Sequence, residues 1–166
     1  MSCNAVTLLG VALDCGNVGG LEKVYIAPVA DVAGITEASG TVTVTMVEGK
    51  KFKEFSFRKG NANFTSEGSQ DDAAGTYFVT TTLTAQFNKM ETVKRTEMVA
   101  LARTNCYVIA KDMNGIYWFI GMGSYCISNT AANSGAQRAD SNNYTLTITS
   151  ETNDLPIEVG AVTGLI

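Results

Sequence analysis

Tyr77-Phe78-Val79-Thr80-Thr81-Thr82-Leu83-Thr84-Ala85-Gln86-Phe87-Asn88-Lys89 is the stretch that decides the fold class. Tyr77, Val79, Leu83, Ala85 and Phe87 fall on alternate positions, with Thr81 among them; Thr80, Thr82, Thr84, Gln86 and Asn88 fill the positions between. A period of two marks a strand with one packed face and one polar face. At about 3.3 Å per residue it spans roughly 40 Å, long for a globular strand.

The period changes directly after it. Over Glu91–Arg103, Met90, Val93, Met98 and Leu101 form one apolar stripe at helical spacing, with Lys94, Arg95 and Thr96 on the other side. Glu91 near the start and Arg103 at the end suit the helix dipole. Cys106–Lys111 and Ile116–Gly121 then flank Asn114-Gly115, a strong hairpin signal for a two-residue loop. That loop pairs Lys111 with Trp118 and Ile109 with Ile120. Tyr107, Ile109, Trp118 and Ile120 then share one face, and Val108, Ala110, Tyr117 and Phe119 the other. Both faces are apolar, so the helix or a neighbouring subunit must cover one of them.

Other strands are predicted at Leu21–Val29, Thr41–Val47, Phe52–Arg58, Asn61–Ser66, Ser124–Ser128 and from Tyr144 onward, where Tyr144, Leu146 and Ile148 alternate with threonines. Loops are predicted at 31–40, at 67–76 and at 129–143. Twenty threonines and only 2 prolines in 166 residues agree with a strand-rich chain. The expected fold is mainly β: one domain over 1–166, an antiparallel β-sandwich or barrel over 21–154 with one packed helix at about 91–103. Residues 1–20 and 155–166 read as extended arms that gain stability by burial on neighbouring subunits.

Several chemistries are excluded or weakened. The chain has no histidine, which removes Ser-His-Asp and Cys-His catalysis and most zinc sites. A net charge of −4 argues against binding nucleic acid through a basic surface. No P-loop occurs, and Gly121-Met122-Gly123 has no helix pattern after it. Glu67, Asp71 and Asp72 lack calcium-loop spacing, and the hairpin turn accounts for Asp112-Met113-Asn114-Gly115. No enzymatic activity, cofactor or metal is expected. No apolar run is long enough for a membrane helix, and no Lys or Arg precedes Lys23, so a secretory signal is not expected. The sequons at Asn63 and Asn143 matter only in a secreted eukaryotic protein. Cys3, Cys15, Cys106 and Cys126 form no Cys-x-x-Cys pair; an even count allows two disulfides, and the favoured reading is buried, reduced thiols of a cytoplasmic chain. With Cys106 opposite Gly123, Cys126 falls on the other face, which disfavours a Cys106–Cys126 disulfide.

Charge is segregated along the chain. Lys50, Lys51, Lys53, Arg58 and Lys59 are five of the 12 basic residues, whereas the far end carries Asp140, Glu151, Asp154 and Glu158 against only Arg138. Patches of opposite sign on opposite ends suit head-to-tail stacking, and a solvated strand edge explains the lysines equally well.

The order of elements resembles the tail-tube proteins of tailed bacteriophages, and more closely virion structural proteins of phages infecting Bacteroidetes. The resemblance runs over about 19–159. It is carried by Gly19-Gly20-Leu21-Glu22-Lys23-Val24-Tyr25-Ile26-Ala27, by Lys51-Phe52-Lys53-Glu54-Phe55-Ser56-Phe57, and by the long strand feeding an amphipathic helix. Further carriers are Val108–Trp118 with the following Gly121, and Asn142-Asn143-Tyr144-Thr145-Leu146-Thr147-Ile148-Thr149-Ser150-Glu151. The resemblance implies rings, commonly hexamers, assembled in the bacterial host cytoplasm and stacked into a viral tail tube. DNA passes through that tube without specific binding. The partners are then other copies of the chain and other virion proteins, with no membrane. Thr80, Thr82, Thr84, Gln86 and Asn88 become candidates for the lumen. Lys50, Lys51, Lys53, Arg58, Lys59, Glu151, Asp154 and Glu158 become candidates for inter-ring contacts. A capsid decoration protein, a head–tail or tail completion protein, and a non-enzymatic β-sandwich binding module share much of this pattern. The binding module predicts exposed aromatics, whereas Trp118 and most Tyr and Phe lie in apolar strand contexts.

Overall fold

The computed structural model describes residues 8–166. The first elements are β1 (Leu21–Pro28), a 3-10 turn (Val29–Asp31), β2 (Val32–Ala38), β3 (Thr41–Met46) and β4 (Lys53–Phe55). Next come β5 (Ala62–Asp71), β6 (Thr76–Asn88) and the helix α1 (Thr92–Leu101). The chain closes with β7 (Cys106–Asp112), β8 (Tyr117–Ile120), β9 (Ile127–Asn133), β10 (Asn143–Thr152) and β11 (Ile157–Val159). The strands form a seven-stranded sheet, β2-β3-β11-β8-β7-β1-β4, and a four-stranded sheet, β5-β6-β10-β9. The fold is mainly β, a sandwich with one helix, as the alternation predicts.

Two apolar clusters hold it together. Between the sheets, Val24, Ile26, Val108, Ala110 and Ile120 meet Leu83, Ala85, Phe87, Leu146 and Ile148. Met98 and Leu101 dock α1 onto the same cluster. The rest of the predicted helical stripe stays outside: Val93 is 73% exposed and Met90 37%. The other face of the seven-stranded sheet carries Tyr25, Ala27, Ile109 and Phe119, packed with Val42, Val44, Phe52 and Leu165. The hairpin of β7 and β8 is thus covered on both faces, and both covers come from its own chain.

The hairpin register differs from expectation by one residue. Asp112 N–H donates to the Ile116 carbonyl at 2.9 Å, which leaves a three-residue loop, Met113 to Gly115. Gly115 takes φ 87, the left-handed geometry that such a loop demands. Lys111 therefore pairs with Tyr117, Ala110 with Trp118 and Ile109 with Phe119. A one-residue slip moves every side chain of a strand to its other face. Trp118 and Ile120 thus sit with Val108 and Ala110, and Phe119 with Ile109.

Three predicted loops contain strands. Residues 32–38 form β2, turned into β3 through Ser39 and Gly40 at φ 54 and 77, a pair of left-handed residues matched to sheet twist. β5 continues through Glu67 to Asp71, and its pairing with β6 carries the hairpin beyond the reach of β10, which stops at Val79. β9 extends to Asn133, which shortens the predicted 129–143 loop to nine residues. Conversely, the Phe52–Arg58 strand shrinks to Lys53–Phe55, because Phe52 turns into the second cluster while Phe55 and Phe57 face the first.

The C-terminal arm is also corrected. β11 lies between β3 and β8, parallel to the former and antiparallel to the latter. Ile157, Val159 and Leu165 are buried, and Phe52 N–H donates to the Leu165 carbonyl at 2.7 Å. The segment is apolar because it completes its own sheet. The N-terminal arm differs. Residues 1–7 of the expected arm lie outside the described residues. Residues 8–20 are exposed throughout, with Leu8, Leu9, Val11 and Leu13 at 89–101%. The arm meets the domain at Val18, whose N–H donates to Asn114 Oδ1 at 2.9 Å.

Candidate assembly surfaces

The polar row of β6 lies on the outer side of the four-stranded sheet. Val79, Thr81, Leu83, Ala85 and Phe87 are buried, whereas Thr80, Thr82, Thr84, Gln86 and Asn88 are half-buried; the three threonines lie between β5 and β10, and Gln86 and Asn88 pair with β10 alone. Register extends the row into a wall. Thr82 lies between Thr65 and Thr149, and Thr84 between Asn63 and Thr147, which is followed by Asn129 on β9. Gln86 pairs with Thr145, and Asn88 with Asn143. Thr80 lies between Glu67 and Glu151. Alternation assigns to this face only residues with the parity of these partners, and no Lys or Arg is among them. The wall is mostly hydroxyls and amides with carboxylates at one end, interrupted by the exposed side chains of Ile127, opposite Thr149, and Phe78. Composition pointed to the β6 row, but Asn63, Thr65 and Asn129 joined it only through pairing.

Both edges of this sheet are open. β5 and β9 each pair with one strand only. Their sequences, ANFTSEGSQD and ISNTAAN, contain no lysine and no proline. Natural edge strands in monomers are commonly blunted by such residues, because free N–H and C=O groups invite another strand. The β5–β6 hairpin also projects past β10, with Tyr77 51% and Phe78 46% exposed near its tip.

The charged candidates are dispersed. Arg58 and Lys59 lie beside Asn61, whose carbonyl accepts the Gln86 N–H, near the Asn88 end of the wall. Glu151 is level with Thr80, toward the opposite end, and Asp154 follows β10. This part of the predicted opposition is present along one sheet. The remainder is not one patch: Lys50 pairs with Asp31 at 3.5 Å, and Lys51 donates to the Ile166 carbonyl oxygen at 3.1 Å. Lys53 lies on edge strand β4, and Glu158 lies inside the seven-stranded sheet between Thr41 and Trp118.

The acidic motifs serve turns. Asp71 Oδ1 accepts the N–H groups of Ala73 and Ala74. The Asp112 carboxylate accepts Asn114 N–H and Ile116 N–H, each at 2.9 Å, and Trp118 Nε1–H at 3.0 Å. Burial pushes this carboxyl up, but the hydrogen bonds from Trp118, Ile116 and Asn114 together outweigh it and hold it below the ordinary 3.8. A depressed folded-state value contributes stability above the unfolded-state value and loses it as pH falls through the folded one. Asp112→Asn is therefore expected to cost about 1–3 kcal/mol at pH 7. The gap from the parent should narrow at pH 3, as read by urea unfolding at both pH values. Among the described residues no cluster of three or more His, Cys, Asp or Glu is arranged to hold a metal. No described helix is long and apolar enough to cross a membrane.

Comparison with protein-family models, curated proteins and solved structures finds no match.

Proposed function

We propose that this chain is a non-enzymatic virion protein, the ring-forming subunit of a bacteriophage tail tube that conducts DNA. The observation that carries the reading is the predominantly polar wall on β5, β6, β10 and β9, interrupted by Ile127 and Phe78, free of Lys and Arg and acidic at one end. A conduit for DNA has to hydrate the passing polyanion without gripping it. Cationic walls hold DNA by releasing its counterions, and hydroxyls and amides do not. Open edges without lysine or proline on the same sheet allow neighbouring copies to extend it, so that the wall becomes the lumen. The exposed apolar residues 8–13 then find cover on another copy. Assembly would take place in the bacterial host cytoplasm, with other virion proteins at the ends of the tube.

Sedimentation and negative-stain microscopy of the concentrated chain test this. Rings or tubes with an open central channel are the expected result. A chain that stays monomeric at its solubility limit contradicts the reading. Closed oligomers without a channel would favour a decoration or completion protein instead.

A further inference from the structure

Cys106 opens β7, and Cys126 immediately precedes β9. The predicted partner of Cys106 was Gly123; the structure pairs it with Cys126 instead. Gly121, at φ 107, and the Gly121–Ser124 turn absorb the intervening residues. Cys106 N–H donates to the Cys126 carbonyl at 3.1 Å, and Cys126 N–H donates back at 2.8 Å. In such an antiparallel pair the Cα atoms lie about 5.5 Å apart and the side chains share a face. A disulfide spans Cα separations of about 4.4–6.8 Å. Both side chains are fully buried in the core between the sheets, and neither sulfur is bonded to another.

Burial holds both thiols protonated in the closed core, so exchange has to wait for local opening. Cys106 Sγ lies 3.7 Å from Ser128 Oγ. Burial pushes both thiols up, and the Ser128 hydroxyl at Cys106 and the Ser150 hydroxyl at Cys126 act against it. The Ser128 hydroxyl is thus placed to donate to the Cys106 thiolate. Cys126 adjoins an edge strand, and Tyr125 beside it is 49% exposed. Local opening at an edge costs less than global unfolding and admits a small reagent.

We infer that Cys106 and Cys126 form a latent intramolecular disulfide site, oxidised by a low-molecular-weight disulfide such as oxidised glutathione. One protein thiolate attacks a glutathione sulfur and expels a glutathione thiolate. The second protein thiolate then attacks the protein sulfur of the mixed disulfide and expels the other glutathione. Two protein thiols lose two protons and two electrons, and one glutathione disulfide leaves as two thiols. The new bond ties β7 of one sheet to the start of β9 in the other. The site is intramolecular and stands whether or not copies assemble.

The test uses the full chain carrying Cys3→Ser and Cys15→Ser, which leaves the core pair as the only thiols. The folded protein is incubated with oxidised glutathione at mildly alkaline pH, quenched in acid, alkylated in denaturant and mapped by mass spectrometry. The expected product has no alkylated cysteine, carries a Cys106–Cys126 cross-linked peptide, and regains two thiols with dithiothreitol. Two alkylated thiols after prolonged oxidation would overturn the inference. So would glutathione adducts without the cross-link, links between chains, or a cross-link that forms only after denaturant is added.

Discussion

Removing residues 155–166 is expected to abolish cooperative folding. Among the described residues, β11 is the only strand joining the β2–β3 hairpin to the rest of its sheet, so its loss releases two further strands. The same deletion empties the places of Ile157, Val159 and Leu165. Truncating a buried Leu or Ile costs about 2–5 kcal/mol, and a whole domain has about 5–15 kcal/mol to lose. Circular dichroism should show no cooperative thermal transition. Removing residues 1–16 provides the contrast. Residues 8–16 are exposed, and the anchor at Asn17 and Val18 is retained. Its melting temperature should stay within about 2 °C of the parent, while rings or tubes should fail to form if the apolar arm is covered by another copy. A C-terminal deletion that melts like the parent would make that segment a dispensable arm after all.

The second large effect concerns the wall. Thr82 and Thr84 lie at its centre, half-buried and flanked by Thr65, Asn63, Thr149 and Thr147. Thr82→Lys with Thr84→Lys places two cations per copy on a face that has none. Long side chains there reach solvent, so the fold and the rings should persist. Repeated around a ring, the lysines should make the channel retain DNA. With about 6–10 phosphate contacts, affinity should fall roughly 10³–10⁵-fold between about 50 and 200 mM salt, whereas the parent shows no such dependence. Rings of the double variant that pass DNA as freely as the parent would remove this face from the lumen.

Much of the fold is legible in the chain itself. Thr41–Met46, Thr76–Asn88 and Asn143–Thr152 are strands because apolar side chains recur at every second position, and α1 follows where the period lengthens. Such periodicities are local, since a strand or helix writes its buried face directly into the order of its residues. For the same reason the polar row from Thr80 to Asn88 could be picked out before any partner strand was known.

What only the tertiary structure decided is how these segments meet. Asn114-Gly115 announces a hairpin, but three rather than two loop residues separate its strands, and that single residue exchanges the faces of Trp118 and Phe119. It also reflects how far local signals reach: the pairing of Cys106 with Cys126 depends on that register and on the turn at Gly121–Ser124 together. Gly68–Asp71 and Asn129–Asn133 look like loops because their side chains are polar, yet they are strands because β6 and β10 offer them backbone partners. Ile157–Val159 is too short to declare itself and forms only because β3 and β8 leave a place between them. Residue order thus determined which segments alternate and which coil, because burial follows the local repeat. Register, edges and the insertion of β11 were set by contacts between residues distant in the chain, which no local repeat encodes.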